Sequence, residues 1–153
     1  MNTERDIVIV LPDIRSTHNT GSFFRTSDAV GVRKIILTGI TAQPPHPHLL
    51  KVSLGAEQSV AWEYVEHVAE AIQNLKELGY TIVAVEQTAH SQDFRAIAYP
   101  QKVALIFGNE VGGVPAEVCN AADMVVQLPM RGEKESLNVS VAGGIVMYHV
   151  AYQ

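Results

Sequence analysis

The chain has 153 residues, 47% hydrophobic and 18% charged, enough for one domain around a single sizeable core and too apolar for a disordered segment. No apolar run reaches the ~18 residues of a membrane span, and Glu4 and Asp6 ahead of Ile7 are unlike a secretory signal. The net charge of −5 argues against gripping nucleic acid by bulk charge, and a single cysteine, Cys119, excludes an internal disulfide and suits a reducing, cytoplasmic setting.

Ile7 to Leu11 is an apolar run that predicts a buried strand. Residues 19–30 follow as a predicted helix, capped by Asn19 or Thr20 and ended by Gly31. On it Phe23, Thr26 and Val30 share a face, and Arg25 points roughly opposite Phe23. Lys34 to Thr38 is the second strand. Residues 39–56 are a connection containing proline and histidine, and Ser59 to Tyr64 is the third strand. An amphipathic helix over Val68 to Leu78 ends at Gly79. Thr81 to Val85 and Val103 to Phe107 are two more buried strands, Pro115 opens a short helix, Met124 to Leu128 is the last strand, and Asn138 to Tyr152 the last helix. Strands alternating with helices predict an α/β fold, a parallel sheet flanked by helices, in one domain over residues 1–153.

The last helix has two apolar stripes, Val141, Ile145, Tyr148 and Tyr152 on one side and Val139, Ala142, Val146 and Val150 on the other. A helix apolar on both sides is buried on both. In so small a chain the second side is expected to meet another subunit, with Gly143 and Gly144 allowing close approach.

Three segments carry the chemistry. Asn19-Thr-Gly21-Ser-Phe-Phe-Arg25 opens the first helix, where Arg25 and free backbone N–H groups suit a phosphate. Phe107-Gly108-Asn109-Glu110-Val-Gly112-Gly113 breaks from a strand into a glycine-rich loop that can fold around a flat ligand. Leu128-Pro-Met130-Arg-Gly132-Glu-Lys-Glu-Ser136-Leu137-Asn138-Val-Ser140 leaves the last strand and runs into the last helix; Ser136 can cap that helix, and the polar run Arg131 to Glu135 can close over a ligand. Loops at the carboxyl ends of parallel strands are the usual ligand position in such sheets. Neither a G-x-G-x-x-G nor a G-x-x-x-x-G-K-[ST] fingerprint is present, so the ligand is held some other way. His46 and His48 lack accompanying cysteines or carboxylates and read as a surface loop, and Glu133 and Glu135 are solvated beside Lys134; no metal is expected. Acidic residues concentrate in residues 56–100. The first third is mildly basic through Arg15, Arg25, Arg33, Lys34 and Lys51, which offers a face for RNA.

In order and placement these segments resemble the SpoU/TrmH family of RNA ribose 2′-O-methyltransferases, within the SPOUT superfamily, and Lys51 to Ala56 resembles that family's connecting segment. The resemblance implies a C-terminal deep trefoil knot and a bound S-adenosyl-L-methionine, contacted by Gly108, Leu128 and Leu137 and bordered by Gln87, Thr88, Asn109, Gly112, Met130 and Ser136. It implies Arg25 as the central catalytic residue, with Asn19, Glu110, Ser136 and Asn138 around it. It further implies a homodimer through the first and last helices and a tRNA or rRNA substrate, tRNA favoured. A guanidinium stays protonated at neutral pH, so Arg25 is expected to engage a substrate phosphate, with its part in proton removal open. The extra N-terminal RNA-binding domain of many members is not expected here. Two alternatives are a non-catalytic cofactor- and RNA-binding dimer, which has no need of the full Arg25, Glu110, Ser136 and Asn138 set, and a base-directed SPOUT methyltransferase, disfavoured by the N-x-G-x-x-x-R segment. A generic nucleotide-binding α/β domain is disfavoured by the missing phosphate fingerprints.

Overall fold

Residues 4–153 are described by the computed structural model. Strands β1 (Asp6–Pro12), β2 (Lys34–Thr38), β3 (Ala61–Val65), β4 (Thr81–Val85), β5 (Gln92–Asp93), β6 (Lys102–Phe107) and β7 (Met124–Gln127) form one sheet in the order β3-β2-β1-β6-β4-β7-β5. Every neighbouring pair is parallel. The late strands are inserted between earlier ones: β6 lies between β1 and β4, and β7 between β4 and β5.

Helices α1 (Thr17–Val30), α2 (Pro47–Ser53), α3 (Ala56–Ser59) and α6 (Val139–Tyr152) send side chains into the core on one face, and α4 (Val68–Glu77) and α5 (Ala116–Ala121) cover the other. The alternation of β1 shows why both faces must be covered. Ile7, Ile9 and Leu11 pack with Phe23, Phe24, Val146 and Met147, while Val8 and Val10 pack with Ile72, Leu75 and Val118. The apolar runs at β1, β4 and β6 are therefore central strands buried on both sides, as their composition predicts.

Several boundaries differ from the sequence expectation. Helix α1 begins at Thr17, with the Ser16 side chain accepting from the Asn19 N–H, so Asn19 and Thr20 lie inside the first turn. Gly31 ends it in a left-handed conformation, φ 77°, as expected. The connection over residues 39–56 contains α2 and α3; Pro47 sits at the start of α2 and His46 caps it. The third strand starts at Ala61 because Ala56 to Ser59 is taken up by α3. Asn138, not Ser136, caps α6, its side chain accepting from Ser140 and Val141. The two-residue β5 has no apolar signal and owes its place to pairing with β7.

Gly21 faces α2. A Cβ there would stand 2.7 Å from the Leu49 carbonyl oxygen and 2.9 Å from Val52 Cβ. Gly143 does the same for α1 against α6, where a Cβ would stand 2.4 Å from a Phe23 ring carbon. The two glycines let three helices meet on one face of the sheet. Gly21→Ala gains up to ~1 kcal/mol of helix propensity but meets backbone that can shift little, an overpacking cost of ~1–3 kcal/mol. The expected outcome is a net loss of stability and a lower urea midpoint with an unchanged slope; a midpoint equal to that of the unmodified chain would contradict the close packing of α1 on α2.

Candidate active site

In a parallel sheet the strand ends of one polarity share one edge. Here the loops after β4, β6 and β7 meet at the carboxyl edge and enclose a cavity of about 1040 Å³, within the order expected for a small-molecule site, and the loop after β1 braces the one after β6. Gln87, Thr88, Gly108, Asn109, Glu110, Gly112, Leu128, Met130, Ser136, Leu137 and Asn138 all line it. Asn19 and Arg25 do not.

The loop after β6 is tightly folded. Asn109 and Gly113 exchange backbone hydrogen bonds, and Asn109 Oδ1 accepts from the N–H groups of Val111 and Gly112 at 2.8 and 2.7 Å. Gly108 has no room for a side chain, since a Cβ would lie 2.3 Å from the Gly113 carbonyl carbon. Asn109 Nδ2 donates to the Asp13 carbonyl oxygen at 3.0 Å and so fastens this loop to the end of β1.

Glu110 carries the loop's polar chemistry. One carboxylate oxygen accepts from the Arg15 N–H at 2.9 Å, the other from the Ser16 N–H at 3.1 Å and from Asn19 Nδ2 at 3.0 Å. Asn19 Oδ1 in turn accepts from Asn138 Nδ2 at 3.2 Å. One chain of hydrogen bonds therefore joins all three sequence segments, Glu110 to Asn19 to Asn138. A carboxylate at the start of α1 also faces the helix's positive dipole end. Burial pushes the Glu110 carboxyl up. The Asn19 amide and the N–H groups of Arg15, Glu110 itself and Ser16 outweigh it, and the net shift is below the usual carboxylate value.

Arg25 is exposed on α1 and, among the described residues, makes no hydrogen bond or ion pair. Ser136 and Leu137 are exposed at the cavity wall. Residues that the sequence patterns missed also line it: Glu86, Val125 and Gln127 at strand ends, and Cys119 with Asn120 on α5. Burial, then the nearby Glu86 charge, push the Cys119 thiol up, which keeps it protonated and unreactive. Glu86 could have been found by its position, immediately after the apolar run of β4. Among the described residues no group of three or more His, Cys, Asp or Glu could hold a metal ion, and no helix is long and apolar enough to cross a membrane.

The model of a family described as the SpoU rRNA Methylase family matches residues 6–148. A tRNA (guanosine(18)-2′-O)-methyltransferase from Aquifex aeolicus is 33% identical over 154 residues, covering 98% of this chain and 71% of the relative. A 23S rRNA (guanosine-2′-O-)-methyltransferase from Neisseria meningitidis is 32% identical, covering 95% of this chain and 58% of the relative. Among solved structures, an AdoMet-bound rRNA methyltransferase from Sinorhizobium meliloti superposes with a TM-score of 0.90 at 29% identity, over 96% of this chain and 56% of that one. The Aquifex aeolicus TrmH/SpoU tRNA modifying enzyme gives 0.87 at 31% identity, over 99% and 78%. The chain thus spans less than two thirds of several of the proteins it matches.

The lowered Glu110 value fixes the sign of a pH effect. Its contribution to stability is complete above the unfolded carboxylate pKa and is lost as pH falls through the lower folded value. Glu110→Gln keeps the shape and removes the charge. The stability gap between the unmodified chain and this variant, measured by urea unfolding across pH, is expected to be largest near neutrality and to close on acidification; a gap that widens in acid would refute the charged hydrogen-bond account.

Proposed function

The chain belongs to the SpoU rRNA methylase family, and on that premise we propose that it is an S-adenosyl-L-methionine-dependent methyltransferase acting on a ribose 2′-hydroxyl of tRNA or rRNA, with tRNA favoured. The observation that carries the proposal is the strand-end cavity whose wall is tied by Glu110, Asn19 and Asn138 to the first turn of α1, the helix that bears Arg25.

The cavity fits the cofactor. Phe107, Val125, Leu128 and Ala142 supply apolar wall for an adenine, and backbone groups of the folded Gly108–Gly113 loop supply polar contacts that need no phosphate fingerprint. Gly108, Asn109, Gly112, Leu128, Met130, Ser136 and Leu137 would hold it, with Gln87 and Thr88 at the border. When bound, the cofactor supplies a methyl group already activated by its sulfonium. The protein's own work is to bring the attacking hydroxyl into line and to assist loss of its proton. Arg25 presents a guanidinium fork suited to a substrate phosphate. Asn138 donates its amide to Asn19, Asn19 donates its own to Glu110, and Glu110 fixes the entry to α1, so that the Arg25 helix is tied to the cofactor loop.

The same reading makes the molecule a homodimer. On α6 Val146, Met147 and Val150 are buried, while Val141, Ile145, Tyr148 and Tyr152 are 51%, 42%, 47% and 76% exposed, an apolar stripe that a second copy would cover. Arg25 does not line its own chain's cavity, which supports its reaching the cavity of the partner subunit. The insertion of β6 and β7 between earlier strands supports a C-terminal trefoil knot, and the match over residues 6–148 supports a single methyltransferase domain.

With labelled S-adenosylmethionine and total tRNA or rRNA, label is expected in a ribose; label in a base would favour the base-directed alternative, and none in any RNA, despite cofactor binding, the non-catalytic dimer. Arg25→Ala is expected to abolish transfer and leave cofactor affinity by calorimetry roughly unchanged, and Arg25→Lys separates charge from the guanidinium fork. Ile145→Asp is expected to give monomers in sedimentation and to lose activity with the dimer. An active Ile145→Asp monomer would overturn the shared-site arrangement.

A further inference from the structure

Glu86 takes no part in the chain of hydrogen bonds that joins the three segments, yet its backbone and carboxylate tie three parts of the cavity wall together. Its backbone N–H donates to the Val126 carbonyl of β7 at 2.9 Å, and its carbonyl oxygen accepts from Ser91 Oγ at 2.6 Å. Its carboxylate accepts from the Gln87 N–H at 2.8 Å with one oxygen and from the Val114 N–H at 2.7 Å with the other. Four hydrogen bonds on one residue therefore join β7, the turn over residues 87–91 and the far end of the Gly108–Val114 loop.

The fit is close. Gly113 sits at φ 67°, and a Cβ there would lie 2.1 Å from Glu86 Oε2. The carboxylate thus occupies the space beside Gly113, which holds the loop's return strand against β4. Asn109 fastens the other end of the loop to Asp13, so the loop is pinned at both ends. A carboxylate accepting backbone N–H groups is among the stronger hydrogen-bonded arrangements available to a protein, and the partially enclosed position of Glu86 reduces competition from water.

We propose that Glu86 is a positioning residue for S-adenosyl-L-methionine, acting through the Val114 and Gln87 N–H groups to hold the Gly108–Val114 loop in the shape that receives it. The inference rests on the methyltransferase reading above. It also explains why the acid stands directly after β4: only from that strand end can one side chain reach both the turn that follows and the loop after the neighbouring β6. An amide in its place keeps one acceptor and turns a donor toward the Gln87 or the Val114 N–H, so Glu86→Gln breaks one of the two bonds. Alanine breaks both.

The test measures binding of S-adenosylmethionine by calorimetry, and kcat and KM for RNA methylation, in the full chain. Glu86→Ala is expected to raise the KM for the cofactor roughly tenfold or more with kcat little changed, and Glu86→Gln to fall between Glu86→Ala and the unmodified chain. A second comparison tests whether Glu86 acts through the Gly113 side of the loop. Gly113→Ala is expected to weaken cofactor binding in the native background and to add less in the Glu86→Ala background, where the obstructing oxygen is gone and only the strain of a Cβ at φ 67° remains. Glu86→Ala binding the cofactor as tightly as the native chain, or additive losses from the two changes, would overturn the assignment. Native chain that binds no cofactor would instead defeat the methyltransferase reading itself.

Discussion

The Glu110 carboxylate ties the entry of α1 to the loop after β6. Helix N-termini leave backbone N–H groups without partners, and Ser16 satisfies only the one at Asn19. Glu110 reaches from a different loop, more than ninety residues away in sequence, to take the N–H groups of Arg15 and Ser16 and the Asn19 amide together. The turn that leads into the helix is thereby held by a distant segment. The approach to the first helix is thus tied to the loop after β6, and the Asn19–Asn138 bond extends the same tie to the start of α6.

The packing on that face of the sheet reinforces the polar link. Phe23 lies with its ring centroid 5.2 Å from that of Phe107, the last residue of β6, and against Gly143 of α6. Apolar contact and hydrogen bonds thus both tie α1 to the end of β6 and to α6, one set beneath the sheet edge and the other at it. Each set alone would leave the loops free to tilt; together they leave little freedom for α1 to shift relative to the cavity.

Much of this was legible from residue order, and the misses have physical causes. The central strands announced themselves because burial on both faces demands unbroken apolar runs, as at Ile7–Leu11 and Val103–Phe107. The three site segments were visible because glycine and amide residues interrupt such runs abruptly. Helix α2 was hidden by its length and by Pro44, Pro45 and Pro47, which read as punctuation although Pro47 is suited to a first helical turn. The caps were misplaced for one shared reason. Ser, Thr and Asn compete as caps, and the choice between Asn19 and Ser16, or between Ser136 and Asn138, is decided by tertiary partners that no local pattern contains. Glu86 carried no motif at all; only the juxtaposition of β4 with β6 and β7 gives its carboxylate two loops to join.

The strand order has a consequence for how the chain comes to be folded. The strand that completes the middle of the sheet, β6, is separated from its partner β1 by about two thirds of the sequence, since Asp6 pairs with Lys102 and Val10 with Ile106. Until that segment emerges during synthesis, β1 has only β2 beside it, and β4 has neither of its final neighbours. The nascent chain therefore carries strands without their final neighbours until β6 emerges, and the contacts that β6 makes with β1 form late and are highly non-local.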